Sequence, residues 1–259
     1  MKPIAAFLVV LLLAALPCRA QPASLASAEA VFMHFYSDPR PERLVGYFPL
    51  YERASHSWIA FPPLVGFYAV VFRGHPDWID RLMPAKPSPS GADTLAASLR
   101  LAGLTATRRD LLDRLATAGS EPTLKAQLAG LPTRLDSLVA TTPTHLDILW
   151  GASFASGDGR YPRMVIDVLA KTANLSDDVA IDIVKLVLAL VTHDRDFPAQ
   201  VKSKYGEAMA IQLAYAATAA WALSANARQH PFVDKVMTDY AASNAQTPTG
   251  RLLAVLHKK

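Results

Sequence analysis

Apolar residues recur at spacings of three and four along most of the chain, and alternation of apolar and polar positions is almost absent, so the pattern predicts helices rather than strands. Prolines punctuate it. Pro41, Pro62, Pro76, Pro122, Pro132, Pro143, Pro162, Pro198, Pro231 and Pro248 each precede an apolar helical stretch, the place where a missing backbone donor costs least. Thr142 and Ser120 stand where capping side chains are favoured, and Gly119 and Gly130 where helices end. Hairpin signals are limited to Asp158-Gly159, which separates two helical patterns. These signals divide the chain into about a dozen helices. The expected fold is all-α, an irregular array of antiparallel helical hairpins, either solenoid-like or a multi-helix bundle.

Two segments stand out within this pattern. The run VAIDIVKLVLALV, residues 179–191, is apolar on nearly every side after a capping Ser176, and is expected to be central. Residues 208–227 carry no charge and are long enough to cross a bilayer. They are mostly alanine, however, with Gln212, Thr218, Ser224 and Asn226 spaced along them. A helix buried at the centre of the array fits that composition better than a span, because alanine lets neighbouring helices approach closely.

The N-terminus changes the picture of where the chain works. Lys2, an apolar run from Ile4 to Leu16 and a small residue at Ala20 form the layout of a cleaved secretory signal, which predicts a periplasmic or secreted protein starting at Gln21. Cys18 is the one cysteine and Pro17 before it fits a lipoprotein box badly, so no lipid anchor is expected there. A chain cleaved after Ala20 has no cysteine, which excludes disulfides, thiolate metal sites and cysteine nucleophiles. Its 24 basic and 22 acidic side chains leave a net charge of +2, too little to argue for nucleic acid. The stretch PAKPSPSGAD reads as a proline-rich linker. The expected organisation is a signal over 1–20, an N-terminal helical subdomain over 21–83, the linker over 84–93 and a C-terminal helical domain over 94–259. One continuous domain over 21–259 is the alternative.

A degenerate repeat runs through the helices. HPDWIDRLM at His75, YPRMVIDVL at Tyr161 and HPFVDKVM at His230 each place an aromatic ring and a proline before an apolar run carrying an Asp. Each follows a small or aromatic helix end, the layout of a helical hairpin. Residues 146–170, LDILWGASFASGDGRYPRMVIDVLA, therefore read as a corner: a helix to Ser156, Gly157 ending it, Asp158 turning and Pro162 opening the next helix. They lack the strand and the Lys-Ser or Lys-Thr pair that a phosphate loop requires. LWGASF followed by GD loosely resembles one tetratricopeptide hairpin, with Gly151 and Phe154 at its small and aromatic positions. LDILWGASFASGDGRY and AAWALSANARQHPFV resemble segments of a group of exported bacterial helical proteins to which no activity is attached. That resemblance implies an exported helical protein and nothing about its chemistry.

Candidate chemistry is sparse. His193 and Asp194 are the weak metal candidates, with His145 and Asp234 as further ligands of a phosphohydrolase-like site. Neither GxSxG nor HExxH occurs. A glycan-acting enzyme needs a proton-donating acid in a cleft, and Glu207 is the candidate among Glu29, Glu42, Glu52, Glu121 and itself; an exposed first-turn acid paired with Lys204 accounts for it without any function and is the preferred reading. Trp150, Asp158, Arg160 and Tyr161 end one helix, and Asn226, Arg228 and His230 end another. Together they form a candidate partner-binding edge. The aromatic block over residues 35–72 reads as core, with an exposed groove as its functional version. No cofactor is expected. The reading that follows is a non-enzymatic exported protein that binds another protein in the cell envelope; a glycan-acting enzyme using Glu207 and a structural or chaperone-like role are the alternatives. N-terminal sequencing of the exported chain is expected to begin at Gln21, and a chain still carrying Met1 contradicts the signal.

Overall fold

The computed structural model describes residues 23–55 and 57–257; the signal over 1–20, Cys18 and the start at Gln21 lie outside these. Among the described residues every regular element is a helix, so the all-α class holds. The chain forms two compact units. The first takes the described residues up to Leu138 together with Phe154–Ser156, and the second takes Val139–Ser153 with 157–257. The stretch 84–93 therefore lies inside the first unit and does not divide the chain.

The first unit contains α1 (Ala23–Met33), α2 (Tyr47–Ala54), α3 (Pro62–Gly74), α4 (Ile79–Leu82), α5 (Pro89–Leu101), α6 (Arg109–Thr117) and α7 (Pro122–Leu128). α3 lies along α5, which also packs on α6 and α7. The aromatic block is its core: Phe35, Phe48, Phe61, Phe67, Tyr68 and Phe72 are all buried. Their rings meet at slanted and edge-on angles, with centroids 4.6 Å apart for Phe32 and Phe67, 5.3 Å for Phe35 and Phe67 and 5.4 Å for Phe48 and Tyr68, the arrangement aromatic quadrupoles favour. Burial pushes the Tyr68 hydroxyl far above its ordinary range, with the Glu52 charge adding to the effect.

The second unit holds most of α8 (Pro143–Ser156), whose last three residues belong to the first unit. It continues with α9 (Arg160–Ala173), α10 (Asp177–Thr192), α11 (Asp196–Tyr205), α12 (Glu207–Ala227), α13 (Pro231–Ser243) and α14 (Pro248–His257). α12 packs against α9, α10, α11, α13 and α14. Ala216, Ala217, Ala219, Ala220 and Ala222 are buried on it beside Leu213 and Leu223. Among the described residues it is the one helix long and apolar enough to cross a membrane by length and composition. Its burial is one-sided near the start, where Ile211 is 60% exposed. α10 is also less central than its sequence implies. Ile181, Leu188 and Val191 are exposed on one face, while Val179, Ile183, Leu186 and Val187 turn inward.

Local signals account for the helix boundaries. Pro62, Pro89, Pro122, Pro143, Pro231 and Pro248 each occupy the first position of a helix, where the ring's fixed φ is already helical. Thr142, Ser176 and Ser88 cap with their hydroxyls. Glu121 rather than Ser120 caps α7, its carboxylate accepting from the Leu124 amide. The corner has the form its residues imply: Gly157 ends α8 in the left-handed region at φ +64°, and Asp158 Oδ1 accepts from the Arg160 amide at 2.8 Å. The repeat is uneven. Its second and third members open helices of 14 and 13 residues. The first breaks into a 3₁₀ turn over Pro76–Trp78 and the single turn of α4.

Two contacts show how tightly the second unit closes. A Cβ on Gly250 would lie 2.0 Å from the Asn244 carbonyl oxygen, and Asn174 Oδ1 accepts from both the amide and the hydroxyl of Thr249, at 3.1 and 2.8 Å. Backbone facing backbone has nowhere to yield. Gly250→Ala is therefore expected to destabilise the fold by about 2 kcal/mol. Gly74, with open space around it and an ordinary φ, gains or loses little on the same change because alanine is the better helix former. Urea denaturation of both variants checks this, and equal stabilities contradict it.

Candidate functional site

An open groove of about 810 Å³ runs between residues 83–87 and α6 in the first unit, within the size range of ligand clefts. Its floor is Leu111 and Leu115, each 4% exposed. These are the apolar stripe of RDLLDRLAT, one helical turn apart. The facing wall is Met83, Pro84, Ala85, Lys86 and Pro87, while Asp80, Arg114 and Thr117 stand at the rim.

That wall is held at both ends, so the proline-rich stretch is a fixed strap. Upstream, Ile79 and Leu82 of α4 are buried. Downstream, Glu52 accepts from the Ser88 amide at 2.8 Å and the Ser88 hydroxyl at 2.6 Å. Gly91 sits against the same carboxylate so closely that a Cβ there would lie 1.9 Å from Glu52 Oε1. Prolines 84 and 87 further restrict the backbone between these anchors.

Charge around the groove is unbalanced. Asp80 is already engaged by Arg108, whose Nη1 lies 3.2 Å from its carboxylate while Nη2 donates to the Pro76 carbonyl at 2.8 Å. Among the described residues no carboxylate stands within ion-pair distance of Lys86 or Arg114. The lining thus combines two nearly buried leucines with Lys86 and Arg114, which form no ion pair among the described residues. The strap reads in sequence as a proline-rich linker, and the groove was missed; the signals were the amphipathic 111/115 stripe and a proline-rich segment too short to wander.

The candidate partner-binding residues of the second unit separate by burial. Trp150, Tyr161, Asn226 and His230 lie in the interior, Tyr161 and His230 completely. Asp158, Arg160 and Arg228 remain at the surface, the first two as an ion pair at 2.6 Å. Gly159 approaches α13 so closely that a Cβ would be 2.7 Å from Val236 Cγ2, and the Arg163 guanidinium lies 4.3 Å from the centre of the Tyr240 ring. α9 and α13 therefore run alongside one another in the same direction.

The other candidates occupy separate places. Glu207 is 73% exposed and pairs with Lys202 at 3.4 Å. Lys204 turns instead to Asp182, at 2.7 Å, where a buried carboxylate attracts it more strongly than an exposed one. Asp194 caps α11, accepting from the Asp196 and Phe197 amides, and His193 occupies the left-handed end of α10 at φ +57°. His145 Nδ1 accepts from the Thr141 amide at 3.1 Å, and Asp234 lies 2.9 Å from His257. Among the described residues no group of three or more His, Cys, Asp or Glu is placed to hold a metal ion.

Two acids of the second unit were not among the sequence candidates for a site. Burial alone would raise the Asp182 carboxyl, but hydrogen bonds from Lys204 and the Tyr205 hydroxyl, 2.7 and 2.8 Å, together with the Lys204 and Lys185 charges, hold it below the ordinary carboxylate range. Asp147 on α8 has no such partners. Its side chain keeps some contact with solvent, yet protein atoms crowd it enough that desolvation pushes its carboxyl up to about 7. Tyr215 of α12, whose hydroxyl donates to the Thr142 carbonyl at 2.8 Å, is raised first by burial and then by the Asp147 charge. A carboxyl that keeps its proton near neutrality is what a proton donor needs; Asp147 has that property, on a different helix from Glu207.

Comparison with protein-family models, with curated proteins and with solved structures finds no match to this chain.

Asp147 makes stability depend on pH with a definite sign. Its folded carboxyl binds a proton more tightly than an unfolded Asp, so folding is penalised as pH rises from about 4, where both states are protonated, through about 7, above which both are ionised. Asp147→Asn is expected to match the wild type near the acid end and to exceed it by on the order of 2 kcal/mol at about pH 8, after discounting for residual solvent contact. Urea denaturation at the two pH values checks this, and a variant no more stable in alkali contradicts it.

Proposed function

We propose that this protein is an exported, non-enzymatic helical protein of the cell envelope that binds another protein, and that the groove of the first unit is its binding surface. The supporting observation is an open groove beside α6 whose facing wall, residues 83–87, is fixed by the Glu52–Ser88 hydrogen bonds. A surface already ordered before binding spends less of its interaction energy on immobilising side chains and loop. The large aromatic side chains of this unit are consumed by its core, so recognition falls to the small apolar groups of the strap and to Lys86 and Arg114.

A photoreactive amino acid placed at Thr117, on the rim, is expected to give a discrete adduct with one envelope protein. The same group at Thr133, outside the groove lining, should give none. Absence of any adduct at Thr117, or identical adducts at both positions, contradicts the proposal.

A further inference from the structure

α10 carries an apolar face that is left in water. Ile181, Leu188 and Val191 are 51, 48 and 59% exposed, and Leu175, in the turn before the helix, is 62% exposed. Asp178 and Lys185 are exposed as well, and 178, 181, 185 and 188 follow one another at steps of three and four, which places them on one stripe of the helix. Read along the chain, that stripe is Asp, Ile, Lys, Leu. Among the described residues no cation stands within ion-pair distance of Asp178. The neighbouring acids are engaged, Asp177 by Arg251 of α14 and the buried Asp182 by Lys204 and Tyr205 of α11. Lys185 lies 3.6 Å from the other Asp182 oxygen, and 54% of its side chain stays in water.

We infer that this face of α10 is the contact between two copies of the chain, paired antiparallel about a two-fold axis beside Ile181. Asp178 and Lys185 each lie about 5 Å along the helix from that axis, on opposite sides of it, so each comes level with the opposite charge of the other copy. Ile181 meets its own counterpart at the axis, and Leu188 comes level with Leu175 of the second copy. The charges select this register. A parallel pair would set Asp178 against Asp178 and Lys185 against Lys185, and an antiparallel pair centred on Lys185 would bring the two lysines together; both juxtapositions are repulsive. A two-fold interface must be complementary to itself, and a stripe with one acid and one base two turns apart meets that condition. A bilayer surface would reward basic residues around the apolar face, whereas here the two charges cancel. A few half-exposed side chains cover less than the roughly 800 Å² per partner of a standard interface, so the dimer is weak and reversible. It is independent of the groove in the first unit.

The test is sedimentation velocity of the exported chain over a concentration series, comparing the wild type with Asp178→Lys, Lys185→Asp, the exchanged Asp178→Lys/Lys185→Asp and Ile181→Asp. Circular dichroism reports whether each variant folds, and Asp178→Asn and Lys185→Gln replace any reversal that does not. The wild type is expected to pass from monomer to dimer as concentration rises. Each single reversal turns two attractive pairs into repulsive ones, and should raise the dissociation constant on the order of tenfold, as should Ile181→Asp at the axis. The exchanged variant should recover most of that loss, because the opposite charges meet again. A wild type that stays monomeric at every concentration overturns the inference, and so does a dimer left unchanged by Asp178→Lys and Ile181→Asp. An exchanged variant that recovers nothing overturns it as well, since the antiparallel register requires recovery.

Discussion

Alanine ends at Cβ, so a helix face built from it lets a neighbouring backbone come closer than leucine or valine would allow. The second unit depends on that property. α12 turns Ala216, Ala217, Ala219, Ala220 and Ala222 inward and packs against five other helices. The approach is close elsewhere in the unit too, where Gly159 faces Val236 and Gly250 faces the carbonyl of Asn244. With such small side chains, burial of large apolar groups contributes less here than in the first unit, whose core is aromatic. Specific geometry has to do more of the stabilising.

That packing leaves little room for polar groups, and the unit treats its two interior acids in opposite ways. Asp182 is surrounded by Lys204, Tyr205 and Lys185, which offset the cost of removing a carboxylate from water. Asp147 has no comparable partners, so its cost appears as an affinity for protons. The first joins α10 to α11 and acts as a structural tie. The second is a carboxyl that titrates near neutrality.

The helices were legible because backbone rules are local. Proline at a first turn, a hydroxyl or carboxylate cap and a left-handed glycine act within a few residues, and they locate α8, α9, α10 and α13 closely, whereas α5 begins at Pro89, inside the stretch that reads as a linker. What escaped the sequence depends on residues distant along the chain. Glu52 fixing Ser88 turns an apparent linker into a wall across 36 positions. Lys204 chooses Asp182, 22 positions away, over Glu207 three positions away. The corner residues illustrate the same limit: Trp150, Tyr161, Asn226 and His230 look like a binding edge because polar and aromatic groups gather at helix ends, but tertiary packing draws them inside. The exposed Ile181, Leu188 and Val191 on α10 are the converse, an apolar run that packing leaves partly uncovered.

Close approach along α12 is tested most directly by enlarging one alanine where the helix is enclosed and one where it is not. Ala220 is 0% exposed, and Ala214 on the same helix faces solvent. Urea denaturation of Ala220→Leu is expected to show a loss of about 3 kcal/mol or failure to fold, because the added atoms have no space. Ala214→Leu should stay within about 0.5 kcal/mol of the wild type. An Ala220→Leu protein as stable as the wild type would mean that the neighbours of α12 leave space at Ala220 and do not depend on alanine for their approach, and would contradict the account.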